Sequence, residues 1–240
     1  MSRYSVQAYA AMHQGIGIKH ADLKTEAGQK TLHTQLAKAD VLLTSFRPSA
    51  LARLGLSWKA LHRQYPQLSQ VAIVGGAGAQ AEEPGHDLTY LAMAGLVTGL
   101  GLPATLYADM AGSLEASQAV LCSVIHTQAT GKGTYFEVPL ASAATHLALP
   151  LAWGLTTPGG AVGGGHAGYQ VYACQNGRVA VAALEPHFAA RLCAAASLPD
   201  APDMLSASVQ QALRTWLLAK TRAQLDQLAF DKDIPLLTMA

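Results

Sequence analysis

Three titratable side chains stand where helices are expected to begin: His86 after Pro84-Gly85, Asp109 ahead of Met110-Ala111-Gly112, and Glu185 ahead of Pro186. A neutral imidazole accepts a proton at physiological pH, whereas a carboxyl buried at a helix start keeps its proton and can donate it. His86 and Asp109 are therefore a candidate base and acid. Each also has a plain structural reading: Asp109 and Asp87 as helix N-caps, Glu185 as the cap before a proline at the first helical position, and His86 as a loop histidine. Gly163-Gly164-Gly165 would allow close backbone approach to a substrate, or act as a flexible linker. It is not a phosphate loop, because no Gly-Lys-Ser/Thr follows it. His33, His62 and His126 fall on helical surfaces and are read as solvated.

The elements that must carry these groups alternate. Apolar spacing over 25–39 predicts a helix capped by Thr25, and Asp40 to Thr44 a buried parallel strand. A short helix follows over 47–55, then a helix capped by Ser57 over 58–64 and a strand over 71–74. Further helices are expected from near Asp87 and from about Ala111 to Ala129, ending at Gly131, with a strand over 134–138. This is an α/β pattern over residues 1–140. The Ala-, Leu- and Gly-rich stretch 141–168 reads as a linker, and 169–240 as a small α+β domain. In the latter, Gln175-Asn176-Gly177 marks a hairpin, with Asn-Gly supplying positive φ angles, and helices are expected near 186–196 and over 206–228.

Only 13% of the 240 residues are charged and the formal net charge is +1, with the basic side chains scattered. Nucleic acid and anionic membrane surfaces are thus poor partners. Cys122, Cys174 and Cys193 have no metal-ligand spacing, so no metal is expected, and the reducing cytoplasm suits them best. The N-terminus has no apolar signal region. Tyr90 to Ala108 is uncharged but broken by Gly95, Gly99, Gly101 and Pro103, and is read as a buried helix running into a loop rather than a membrane span.

Several short motifs recur in a telling order: Asp22-Leu23-Lys24-Thr25, Ala39-Asp40-Val41-Leu42, Phe46-Arg47-Pro48, Leu54-Gly55-Leu56 and Tyr65-Pro66-Gln67-Leu68. These are followed by Gly85-His86-Asp87-Leu88-Thr89-Tyr90, Ala108-Asp109-Met110-Ala111-Gly112, Thr130-Gly131-Lys132-Gly133 and Ala183-Leu184-Glu185-Pro186-His187-Phe188. In this order they resemble the family III CoA-transferase superfamily (CaiB/BaiF), in its α-methylacyl-CoA racemase-like branch, shortened at both ends. The resemblance implies a truncated Rossmann-like large domain lacking its first βαβ unit, plus a small α+β domain. It also implies a homodimer, or a partner chain supplying the missing unit.

The implied substrate is an acyl-CoA thioester, with coenzyme A entering as part of the substrate and no separate cofactor. Racemisation needs an acid and a base on opposite faces of the carbon beside the thioester carbonyl, and a means of holding the enolate oxygen. The resemblance assigns His86 and Asp109 to that pair and Glu185 to support of the histidine. Free N–H groups of the helix after Asp109 are expected to meet developing negative charge. Arg47, Gly163, Gly164 and Gly165 fall to substrate binding. Asp109 also matches the aspartate nucleophile of the transferases. Departures from the pattern, with His13-Gln14-Gly15-Ile16-Gly17 where basic residues usually meet the nucleotide and Ala72 in place of an arginine, motivate a third reading as a non-catalytic binding or scaffold protein.

Overall fold

The computed structural model describes residues 5–199 and 202–240. The chain divides into two compact units, Met1–Leu147 and Ala148–Ala240.

In the first unit the elements run Val6–Met12 (α1), Glu26–Leu36 (α2), Val41–Thr44 (β1), Pro48–Arg53 (α3), Trp58–Gln64 (α4), Ser69–Val74 (β2), Asp87–Met93 (α5), Tyr107–Thr130 (α6), Tyr135–Pro139 (β3) and Leu140–Leu147 (α7). Thr25 caps α2 as expected, its hydroxyl accepting the Gly28 N–H at 3.1 Å. The three strands are parallel in the order β1-β2-β3, with Leu43 beside Val71 and Val71 beside Phe136. Helices make each crossover, as parallel pairing requires.

Central β2 is apolar from Val71 to Val74, and both of its faces are covered. Val71 is fully buried and packs with Ala116 and Ala119 of α6 and Val138 of β3. Leu36, Leu51, Leu56, Leu61 and Leu68 form a separate cluster, contributed largely by α2, α3 and α4. Each such leucine contributes about 2 kcal/mol through burial. His33 and His62 are half-buried rather than fully solvated: His33 Nδ1 lies 2.9 Å from the Tyr65 hydroxyl, and the His62 ring lies tilted against Trp58 with ring centres 4.4 Å apart. His126 is exposed.

Two boundaries differ from the sequence reading. Helix α6 starts at Tyr107, a turn earlier than Ala111, so Asp109 lies inside its first turn; it closes at Gly131, whose φ of 70° suits a residue without a Cβ. The stretch read as linker begins with α7, which packs on α5 and α6 with Ala143 and Ala144 buried. Small residues permit that approach: a Cβ on Gly112 would stand 2.3 Å from a methyl of Leu140. The uncharged Tyr90 to Ala108 stretch is not buried along its length, since Leu100 and Leu102 project fully into solvent.

The second unit contains Leu149–Ala152 (α8), Tyr169–Cys174 (β4), Gly177–Ala182 (β5), Pro186–Ala195 (α9), Ala207–Leu218 (α10), Arg222–Lys232 (α11) and Leu236–Met239 (β6). Its antiparallel sheet has the order β4-β5-β6. Leu192, Leu213, Leu217 and Leu225 are fully buried against Tyr172, Val179 and Val181. The single helix expected over 206–228 is two, because Thr221 and Gln224 form a capping box that starts α11 afresh.

The hairpin is present, but Cys174 pairs with Gly177, so the loop is Gln175-Asn176 and neither residue takes a positive φ. Asn176 acts elsewhere: its side-chain oxygen accepts the Arg222 N–H at 2.8 Å, at the start of α11. Among the described residues no helix is long and apolar enough to cross a membrane.

Candidate active site

A cavity of about 510 Å³ opens at the carboxyl ends of the three parallel strands of the first unit. Ser45, Phe46 and Arg47 follow β1, Ile73 to Gly75 close β2, and Leu140 follows β3. Open parallel sheets bind ligands in this position, where loops meet beyond the ends of the strands. Pro84, Gly85 and His86 supply another wall, with Tyr90 of α5 and Asp109 of α6.

His86 occupies the N-cap position of α5 in extended backbone. Its N–H donates to the Thr89 hydroxyl at 3.0 Å, and that hydroxyl donates back to the His86 carbonyl at 2.7 Å. The threonine thus pins the histidine backbone, while the exposed imidazole borders the cavity. Asp87 is buried, and its carboxylate caps the neighbouring helix rather than its own, accepting the Asp109 N–H at 3.0 Å. A carboxylate suits the positive end of the 24-residue α6. The expected free N–H groups after Asp109 are affected by the earlier start of α6: the Asp109 N–H goes to Asp87, and the Met110 N–H donates to the Leu106 carbonyl at 2.9 Å.

Buried Ala108 and Gly112 draw the start of α6 into the unit, and Asp109 sits beside that buried face, at the edge of the cavity. Although Asp109 is exposed by area, the protein flanking its carboxyl displaces water and raises its pKa from the ordinary aspartate value. The Asp87 charge pushes in the same direction, and His86 opposes them. The site therefore holds a carboxyl whose proton affinity is raised beside an imidazole, the two kinds of group that acid/base chemistry uses.

His86, Asp109 and Arg47 thus line one cavity. Glu185 and the three glycines belong to the second unit. Glu185 is the N-cap residue of α9 and makes no side-chain capping bond. Gly163, Gly164 and Gly165 lie in the turn Ala161–Gly165, with Gly164 at φ 99°. That turn is braced rather than loose: the Gln170 amide donates to the Gly164 carbonyl at 2.9 Å, and the Gln210 amide to the Gly165 carbonyl at 2.7 Å.

Sequence reasoning missed Tyr90 as a cavity residue. It stands four residues after His86, one helical turn on and near the same face, and that spacing was the available signal. Among the described residues, no three His, Cys, Asp or Glu side chains gather in a way that would hold a metal ion.

Fold and site together define an open α/β protein with its cavity at the carboxyl edge of a parallel sheet. The family model of CoA-transferase family III matches residues 7–239, and the chain belongs to that family. Human alpha-methylacyl-CoA racemase is 27% identical over 205 residues, covering 78% of this chain and 53% of its own length. The cinnamoyl-CoA:phenyllactate CoA-transferase of Clostridium sporogenes is 41% identical over 80 residues, covering 32% of this chain and 19% of its own. The chain spans about half, or less, of these relatives. Among solved structures, a hypothetical protein of Mycobacterium tuberculosis matches with a TM-score of 0.77 at 22% identity, over 92% of this chain and 68% of that one. A CaiB/BaiF family protein of Brucella suis matches with a TM-score of 0.71 at 22% identity, over 90% and 64%. These structural likenesses speak for the fold.

Proposed function

We propose that the chain processes acyl-CoA thioesters by α-proton transfer, with His86 as base and Asp109 as acid on a 2-methylacyl-CoA. The observation that carries this reading is the joint placement of the His86 imidazole and the Asp109 carboxyl on one cavity. In the forward step neutral His86 takes the proton from the carbon beside the carbonyl, the electron pair moves into an enolate, and Asp109 returns a proton to the opposite face. Coenzyme A enters as part of the substrate, and no other cofactor is invoked. Glu185 and the Gly163-Gly164-Gly165 turn, which belong to the second unit, keep the roles that the family resemblance assigns them, support of a histidine and substrate binding. Arg47, at the cavity edge, is assigned to the charged parts of the substrate.

The experiment is incubation with a 2-methylacyl-CoA in heavy water. The α-proton should exchange, and exchange no faster than with His86→Ala or Asp109→Ala protein rejects the reading. A second reading makes Asp109 a transferase nucleophile, favoured by the likeness to a CoA-transferase and by the exposure of the carboxyl. Hydroxylamine added during turnover should then modify Asp109, whereas α-proton transfer leaves it unlabelled. A third reading, a binding or scaffold protein, predicts that coenzyme A binds no better than a generic polyanion in calorimetry.

The three parallel strands with helical crossovers are in keeping with part of a Rossmann-like domain. We read the assembly as a homodimer, or a pairing with another chain, in the cytoplasm. Exposed Leu43 and Leu121, lining an apolar recess between β1 and α6, support a partner, and light scattering tests it.

A further inference from the structure

Tyr90 is only 7% exposed, and its hydroxyl has no hydrogen-bond partner among the described residues, yet that oxygen is not one of the side-chain atoms sealed from solvent without a partner. A hydroxyl held in a mostly buried ring and still open to solvent is free to donate to a bound molecule. Tyr90 lines the cavity that also holds His86 and Asp109, and an adjoining recess with Gln80 and Met93.

The protein makes room for this phenol at two points. A Cβ on Gly75, at the end of β2, would stand 2.5 Å from the hydroxyl oxygen. A Cβ on Gly85 would stand 2.6 Å from both the hydroxyl oxygen and a ring carbon. Two residues without side chains therefore cradle the ring from β2 and from the loop before α5, fixing where the O–H lies. With the Asp109 N–H occupied by Asp87, that backbone group is closed to a developing negative charge, and a nearby donor without a partner acquires significance.

We propose that Tyr90 is a catalytic hydrogen-bond donor, its O–H meeting the thioester carbonyl oxygen of the bound acyl-CoA as that oxygen gains charge. This rests on the acyl-CoA reading above. When the α-proton leaves for His86, the C–H bonding pair forms the carbon–carbon double bond of the enolate and the carbonyl π pair moves onto oxygen. Tyr90 donates to that oxygen and keeps its own proton; reprotonation at carbon restores the carbonyl. The same donor serves the tetrahedral oxyanion if Asp109 acts as nucleophile. Burial, and secondarily the Asp109 charge, raise the phenol pKa, while Arg47 pulls it down, so the hydroxyl stays protonated at neutral pH.

Tyr90→Phe keeps the ring in its cradle and removes only the hydroxyl. Isotope exchange on a 2-methylacyl-CoA should then lose about 10²-fold in kcat, while KM moves by no more than roughly 3-fold. The melting temperature serves as the control and should hold. Calorimetry with a saturated S-alkyl-CoA thioether, which lacks the carbonyl oxygen, should give equal binding to wild type and Tyr90→Phe, whereas the matching thioester should bind the variant more weakly. Wild-type kcat in Tyr90→Phe, or an unchanged preference for thioester over thioether, overturns the inference. A wild-type protein that neither exchanges the α-proton nor transfers CoA instead removes the acyl-CoA reading, and the two failures are told apart by the wild-type control.

Discussion

The Asp109 backbone N–H donates to Oδ1 of Asp87 at 3.0 Å, joining the first turn of α6 to the first turn of α5 across 22 residues of sequence. One carboxylate thereby fixes the backbone of a second carboxyl and bears on its charge. Asp87→Asn keeps an acceptor in place and removes the charge, so the Asp109 pKa should fall towards the ordinary range. Asp87→Ala removes both and should in addition destabilise the start of α6 by about 1 kcal/mol. Carbon-13 titration of the Asp109 carboxyl reads the first effect and thermal melting the second.

The raised Asp109 pKa also has a consequence for stability. A carboxyl whose folded pKa exceeds its unfolded value binds its proton more tightly in the fold, so it contributes stability at low pH that is lost as pH rises through the folded value. Asp109→Asn should therefore melt slightly higher than wild type at neutral pH, with the gap closing below the carboxylate range. The effect will be small because the side chain is largely open to solvent. A series of melting curves from pH 3 to pH 8 checks the sign.

The two glycines around Tyr90 should respond differently to the same rescue. Gly75→Ala meets first the hydroxyl of Tyr90, at 2.5 Å, whereas Gly85→Ala also meets ring carbons at 2.6 and 2.7 Å. Each should cost about 1–3 kcal/mol as local overpacking. Adding Tyr90→Phe should recover most of the loss for Gly75→Ala and little for Gly85→Ala. Denaturant unfolding of the two double-mutant sets measures the coupling.

Hydrogen exchange should find the Ala161–Gly165 turn protected, in line with its glutamine braces. Gln210→Ala removes donors at 2.7 Å and 3.3 Å from the Gly165 and Gly164 carbonyls. Exchange in that turn should quicken while the leucine core of the second unit stays protected, with a global loss of about 1 kcal/mol.

Of the three thiols, Cys122 is exposed while Cys174 and Cys193 are buried, and burial raises the Cys193 pKa. A thiol reagent should label one site quickly in the native protein and three after unfolding. Mass spectrometry of the labelled peptides identifies which.

Much of the first unit was legible because its signals are local. Thr25 caps α2 three residues away, Gly131 ends α6 by its own φ, and the apolar runs of β1 and β2 need only their neighbours to be read. The start of α6 was misread for the opposite reason. Its N-cap residue is Leu106, which makes no side-chain cap, while Asp87 satisfies a first-turn N–H from another helix. Asn176 shows the same limit, since the side chain read as a turn former caps α11, distant in sequence. Of the candidate site, motif order singled out His86, Asp109 and Arg47. The spacing of Tyr90 from His86 hinted at a shared face, but its significance lies in the room left by Gly75 and Gly85, a relation between absent side chains that only the fold brings together.

The cavity walls at Ser45, Phe46 and Leu140 are contributed by residues just past the ends of β1 and β3, outside the ladder that holds those strands together. Exchanging them alters the size and polarity of the recess while leaving the strand pairing untouched. A lineage built on this chassis can change the molecules it accepts without having to learn to fold again.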